Sequence, residues 1–346
     1  MIDQIANLMR WEWFKLRRRW MPWILLAVLV LFSQLFLWAS FLSYRTDSPD
    51  AGRDVIIGFD STQGGAIRVT CRDVLSGNTA GLPSDFTPAD VERMRQDCQR
   101  MAEQQAGQAR GNRAAFTLPT SVTDAMTMAQ SVGLILVIIL TASSVGTEYG
   151  WGTLRMVLAR GPARRDFLVA KLALMAVAVG VALAAVVAFT AVSSLIASSL
   201  VPGDAALVNS GGWADAAKAF GKVWFALLPY VALAGLVSVI TASTAAGMGA
   251  SLGYYFVEQI ASAILMNFFD WFETVADFLL GRNVTAWMLA GQGDGLGGAT
   301  SGMGIRFGEY PGGVHAFLVL AVYIAALVGL ALWVFRRRDV AGGGGG

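Results

Sequence analysis

Between Val223 and Phe269 run 47 residues with a single charge, Glu258. As one helix, at ~1.5 Å rise per residue, this stretch would be about 70 Å long, more than twice the ~30 Å hydrocarbon core of a bilayer. It should therefore cross a membrane twice. The fold-back is expected within Thr241-Ala-Ser-Thr-Ala-Ala-Gly247, where small polar residues and Gly loosen a helix. Four further stretches carry no charge at all: Met21–Tyr44, Ala125–Thr147, Leu172–Gly203 and Tyr310–Phe335. Each exceeds the ~20 apolar residues that a span requires. Six spans follow, at about 21–44, 126–146, 170–200, 221–241, 246–267 and 313–335.

The composition agrees. Apolar residues make up 55 % of the 346, and charged residues only 14 %, against about 45–50 % and about 25 % in a soluble domain. An ordinary soluble enzyme and a disordered chain are both excluded. A net charge of +2 gives nucleic acid nothing to bind, and one histidine and two cysteines cannot furnish a multi-His or Cys₄ metal site. The expected fold is an all-α integral membrane protein.

Basic residues set the orientation. Arg10, Lys15, Arg17, Arg18 and Arg19 precede the first span. Arg155, Arg160, Arg164, Arg165 and Lys171 lie between the second and third, and Arg336, Arg337 and Arg338 follow the last. These three segments hold 13 of the 26 basic residues against five acidic ones. They belong on the cytoplasmic side together, which an even number of spans allows, with both termini inside. Residues 1–20 are expected to lie in the interface as an amphipathic helix: Ile2, Ile5, Met9, Trp13 and Leu16 recur every three or four residues, with Asp3, Asn7, Arg10, Arg17 and Arg18 largely opposite. The other reading is a plain basic flank.

The largest polar region, 45–125, is then extracytoplasmic. Long loops translocate whatever their charge, so its arginines do not conflict with the orientation. A helix is expected over Pro88–Gln105, capped by Thr87 or Ser84. Cys71 and Cys98 both lie here, where an oxidising compartment favours a disulfide over two free thiols. Residues 201–220 and 268–312 form further outer segments, the latter with a short helix at Phe272–Leu280 and a Gly-rich run at Gly291–Gly304. That run lacks the Lys-Ser/Thr of a phosphate-binding loop, and Gly221-Lys222 is followed by Val223, so the chain has no nucleotide-binding motif of its own.

The cytoplasmic segment 147–169 is the most informative. It contains Glu148-Tyr-Gly-Trp-Gly-Thr-Leu-Arg155 and a Gly161-Pro162 stop, followed by Ala163-Arg164-Arg165 and Lys171. Trp151–Arg160 suits a short helix with Leu154, Val157 and Leu158 apolar, a docking knob for a second protein; the plainer alternative is a positive-inside loop. Glu148 and Arg155, seven residues apart, are expected on one exposed face if the helix is continuous; Gly150 and Gly152 allow a bend instead. The tail 336–346 ends in Gly342–Gly346.

These motifs, with the ending Trp333-Val-Phe-Arg-Arg-Arg-Asp339 and the start Trp11-Glu-Trp-Phe-Lys-Leu-Arg-Arg-Arg19, resemble the type-2 ABC exporter permeases. The resemblance implies a permease in the cytoplasmic membrane that pairs with a second copy, as a homodimer, and docks on two copies of a separate ATP-binding subunit. ATP and Mg would be bound there, with no cofactor in this chain. It further implies that Glu148, Trp151, Gly152, Thr153, Leu154, Arg155, Arg164 and Arg165 couple to that ATPase. An outer loop of about 80 residues is longer than in minimal members of the family.

Glu258 is a candidate for gating or the transport path, since an intramembrane carboxylate is costly to bury; the alternative is a structural role. His315 is expected to mark a span boundary. The rival classes are an ion-coupled secondary transporter, for which Glu258 is a lone candidate, a membrane-bound enzyme, which would need a cluster of acids, His or Cys, and a non-transporting anchor or sensor presenting the outer loop.

Overall fold

The computed structural model describes residues 2–46, 56–60, 66–77, 87–150, 163–201, 212–269, 271–290 and 310–337. Five helices are long and apolar enough to cross a membrane: α2 (Trp20–Thr46), α5 (Thr120–Gly150), α6 (Arg164–Ser199), α7 (Trp213–Thr241) and α11 (Gly313–Arg337). The protein is thus a helical multi-pass membrane protein in type. A sixth long helix, α8 (Thr244–Phe268), falls outside that set. Its glycines, Tyr254, Tyr255, Glu258 and Gln259 dilute its hydropathy.

The chain forms two compact units, one of residues 1–33, 125–189 and 213–346, the other of 34–124 and 190–212. The first begins with α1 (Ile2–Arg18), which ends where the Arg19 N–H donates to the Leu16 carbonyl at 3.2 Å. Its inner face carries Glu12 and Leu16, buried, and Trp13, half-buried. Trp11, Phe14 and Arg18 are exposed on the other side, and Arg17, also exposed, lies one turn after Trp13 at the edge of the inner face. Aromatics exposed among arginines are what an interfacial helix presents to headgroups.

The core of this unit is one cluster drawn from α1, α2, α5, α6, α7, α10 (Leu280–Leu289) and α11, with Met126, Ile138, Leu168, Met175, Leu227 and Leu320 fully enclosed. Helices α7 and α8 pack on each other and are separated only by Ala242 and Ser243. Ala242 takes φ 51°, the left-handed turn that stops α7, and Ser243 caps α8 by accepting from the Ala246 N–H at 3.3 Å. Two glycines let other backbones close on this corner. A Cβ on Gly146 of α5 would come within 2.6 Å of the Thr244 Cα, and one on Gly247 within 3.2 Å of the Ser238 Cα.

The second unit contains the only strands among the described residues. β1 (Ile56–Asp60) pairs antiparallel with β2 (Ala66–Thr70), Ile56 opposite Thr70 and Asp60 opposite Ala66. This ribbon departs locally from the all-α expectation. Thr70 closes β2 and caps α3 (Cys71–Ser76), accepting from the Asp73 N–H. Helix α4 (Pro88–Phe116) starts with Pro88 behind a reciprocal Thr87–Asp90 capping box and runs eleven residues beyond the expected Gln105 end, through Gly107 and Gly111. Cys71 and Cys98 are bonded, with Cα atoms 5.4 Å apart and both side chains fully buried beside Val74 and Met94. The expected disulfide is therefore present. Phe116 packs against Leu37, Phe41 and Ala197, and its carbonyl accepts from Ser194 Oγ at 2.7 Å.

Candidate functional site

Four charged side chains from three elements meet inside the first unit. Lys171, near the start of α6, is 1 % exposed. Its Nζ donates to Glu12 Oε2 of α1 at 2.9 Å and to Glu148 Oε1, near the end of α5, at 2.6 Å. Lys15 adds a bond to Glu12 Oε1 at 2.7 Å and approaches Glu148 Oε1 at 3.7 Å. The set is neutral, two carboxylates against two ammonium groups, so burial leaves no net charge. Burial pushes the Glu12 carboxyl up, yet Lys171 and Lys15 outweigh it and hold it below its ordinary range. Arg19 donates to Thr147 Oγ1 at 3.0 Å, one residue before Glu148. A cavity of about 10 Å³ lies among Glu12, Lys15, Arg19, Ser144, Glu148 and Lys171. The ring of Phe167, one turn before Lys171, stacks on Phe335 in the last turns of α11 at 6.4 Å. The amphipathic helix, the two ends that flank residues 151–162, and the end of the last long helix are thereby fastened together.

A second arrangement engages Lys222, which precedes the long apolar stretch, and Glu258, the charge inside it. Helix α10 has no side-chain cap at Leu279. Its first turn is met by Glu258 of α8, whose Oε1 accepts from the Gly281 N–H. Any Cβ on residue 281 would lie 3.0 Å from that oxygen, so glycine admits the carboxylate. At the other end Lys222 of α7 donates to the Met288 carbonyl at 3.5 Å and to the Ala290 carbonyl. Anion at the N-terminus and cation at the C-terminus both suit the helix dipole. Tyr323 Oη donates to the Phe278 carbonyl at 3.0 Å, beside the same turn.

The chain breaks at Asp277, so the helix expected over Phe272–Leu280 is corrected to α9 (Trp271–Ala276), which stops four residues short, and α10 starts only at Leu280. At the break three side chains hold Asp277. Its carboxylate takes Arg282 Nε at 3.1 Å, and its carbonyl takes Asn283 Nδ2 at 2.7 Å and His315 Nε2 at 3.0 Å. His315 thus ties the start of α11 to this break.

Of the residues expected to meet a partner ATPase, Trp151, Gly152, Thr153, Leu154 and Arg155 lie outside the described residues, as does the Gly291–Gly304 run. Arg165 is exposed and Arg164 half-buried at the start of α6. Glu148 differs from its expectation. It is 5 % exposed and paired with Lys171, so it is not a surface charge free to pair with Arg155. Its carboxylate points into the bundle because α1 covers that end of α5. Glu12 and Lys171 have structural roles that a reading of charge alone passes over. The legible signal was Glu12 itself, an acid three residues after Met9 and four before Leu16 on the apolar stripe. Among the described residues, no group of three or more His, Cys, Asp or Glu side chains is placed to hold a metal ion.

A family model described as a protein of unknown function (DUF2705) matches residues 103–341. No curated protein and no solved structure matches the chain.

Proposed function

The chain belongs to the DUF2705 family, whose model covers more than half of it, and we propose that it is the membrane-spanning permease subunit of an ATP-driven exporter. In this reading α8 is the sixth span, both termini face the cytoplasm, and the site is the cytoplasmic membrane. Two copies of the chain pair, and each docks on one ATP-binding subunit that holds ATP and Mg.

One observation carries the reading: Lys171 joins Glu12 and Glu148 across 2.9 and 2.6 Å. The two helix ends flanking residues 151–162 are gripped, within about two turns of that segment, by one buried network that also holds α1. A displacement delivered to the segment by an ATPase would reach α1, α5 and α6 together instead of dissipating in a loose loop. The stacking of Phe167 on Phe335 brings the end of α11 to the same place. The basic residues of α1, of the start of α6 and of the end of α11 thus share one end of the unit, which supports a common cytoplasmic side. The ion-coupled alternative draws less support, because Glu258 is engaged at the α10 terminus. The disulfide-braced outer segment favours a sensor as the second reading.

The test is co-expression with any Walker-motif ATPase found in a neighbouring reading frame. Arg164→Ala and Arg165→Ala alter a half-buried and an exposed residue at the start of α6, and membrane levels should stay near wild type. Each should lower ATPase co-purification or transport-linked hydrolysis; losing a charged contact across a buried interface costs roughly 2–5 kcal/mol, at least tenfold in affinity. Wild-type values for both, or no adjacent ATPase that associates, would remove the exporter assignment.

A further inference from the structure

We infer that an apolar groove between α1, α2, α5 and α6 is a binding site for one acyl chain of an anionic phospholipid, with Arg17 holding the headgroup. The inference does not depend on transport. The groove has a volume of about 160 Å³ and is walled by Leu26, Leu29, Gly133, Val137, Val179 and Ala182. Its lining is apolar except where Arg17 reaches it. An apolar cavity of about 150 Å³ stays dry and accepts a benzene-sized hydrocarbon, so this one takes roughly six carbons of a chain.

The mouth carries the chemistry of a headgroup boundary. Trp13 and Trp23 flank it, and Trp23 Nε1 donates to the Arg17 carbonyl at 2.9 Å, fixing the junction of α1 and α2 there. Arg17 is exposed, and among the described residues no carboxylate pairs with it. The acids of this region, Glu12 and Glu148, are already neutralised by Lys15 and Lys171. Arg10, also exposed, lies seven residues earlier and so on the same side of α1. A hydrocarbon slot under uncompensated arginines and between two indoles selects an amphiphile whose head is negative. That charge pattern disfavours a neutral ligand and a second copy of this basic helix alike.

The experiment uses the full chain in mild detergent, delipidated, then titrated with dioleoyl phosphatidylglycerol or dioleoyl phosphatidylcholine and read by native mass spectrometry. Wild type should hold one phosphatidylglycerol about fivefold more tightly than phosphatidylcholine, the effect of one basic residue at a lipid surface. Arg17→Gln, an exposed change that removes no packing, should bring the two lipids within twofold. Ala182→Phe fills the slot and should weaken the tight phosphatidylglycerol more than tenfold. Equal binding of both lipids by wild type, or an unchanged preference in Arg17→Gln, overturns the assignment even if Ala182→Phe does not fold. So does a folded Ala182→Phe that loses a dimer while keeping its lipid, which would make the groove an interface between copies.

Discussion

Replacing Lys171 by Met removes the ammonium group and keeps most of the side-chain volume. In the wild type it holds Glu12 and Glu148 at 2.9 and 2.6 Å, with side-chain exposures of 7 % and 6 %. In the variant, two buried carboxylates share Lys15 alone, which sits 2.7 Å from one and 3.7 Å from the other. Removing one partner of a buried ion pair costs about 3–5 kcal/mol. Lys15 retains part of the attraction and is itself only 36 % exposed, so the lower end applies, about 3 kcal/mol. At roughly 2–4 °C per kcal/mol for a large domain, the melting temperature should fall by about 6–12 °C. Thermal unfolding in detergent, followed by tryptophan fluorescence and by the fraction surviving size-exclusion chromatography, measures this. Lys171→Met combined with Glu148→Gln leaves Glu12 and Lys15 as a neutral pair and should recover more than half of the loss. A Lys171→Met protein within ~2 °C of wild type, or a double variant whose losses simply add, would refute a coupled buried network.

Further predictions follow from neighbouring features. The Glu12 carboxyl titrates below its unfolded value of about 4.3, so its contribution is complete above that pH and disappears as pH falls through the lower folded value. Melting temperature should therefore drop more steeply with acid in wild type than in Glu12→Gln between about pH 5 and pH 3. Cys71→Ser with Cys98→Ser opens a loop with a sequence separation of 27 and should cost the second unit about 3–4 kcal/mol, seen as faster proteolysis between α3 and α4. Gly146→Val drives a side chain into the Thr244 backbone and should destabilise by about 1–3 kcal/mol or more, whereas Gly150→Ala, with open space around it, should leave the melting temperature unchanged.

What was legible in the sequence was set by length and by outliers. The stretch from Val223 to Phe269 is too long for one crossing, so a break near Thr241 could be expected from arithmetic. That Ala242 makes it, with φ 51°, depends on how close Gly146 and Gly247 let their neighbours come. Two cysteines in one polar segment left few partners, and they pair. The β1–β2 ribbon had a signal too: Ile67 and Val69 alternate with Ala66, Arg68 and Thr70 after the Gly64-Gly65 pair in the sequence. Glu258 stood out as a lone charge, but its acceptor role could not be read, because its partner is a backbone N–H 23 residues later. Glu148 misled for a related reason. Its position beside a basic loop looks solvated, and only the return of α1 with Glu12 shows why the carboxylate is enclosed. Helix α4 outran its expected end because Gly107 and Gly111 weaken a local helix signal that the finished element overrides.

The bracketing of α10 by Glu258 and Lys222 sets a sequence of events during biosynthesis. On the six-span reading, α7 and α8 leave the ribosome before the helix that will engage their charges exists. Glu258, near the middle of 246–267, resists insertion while unengaged by about 2.5–3.5 kcal/mol, the figure for an acid at mid-membrane depth, whereas Lys222 stands at the edge of its span. The 32 residues from Glu258 to Ala290 take roughly 2–6 s to synthesise at ~5–20 residues per second. On that reading the α7–α8 pair is, for those seconds, an insertion intermediate whose Glu258 has no α10 turn to meet. Slowing translation across residues 259–290 should lengthen that wait and expose the nascent chain to membrane proteases, with no change in the finished fold.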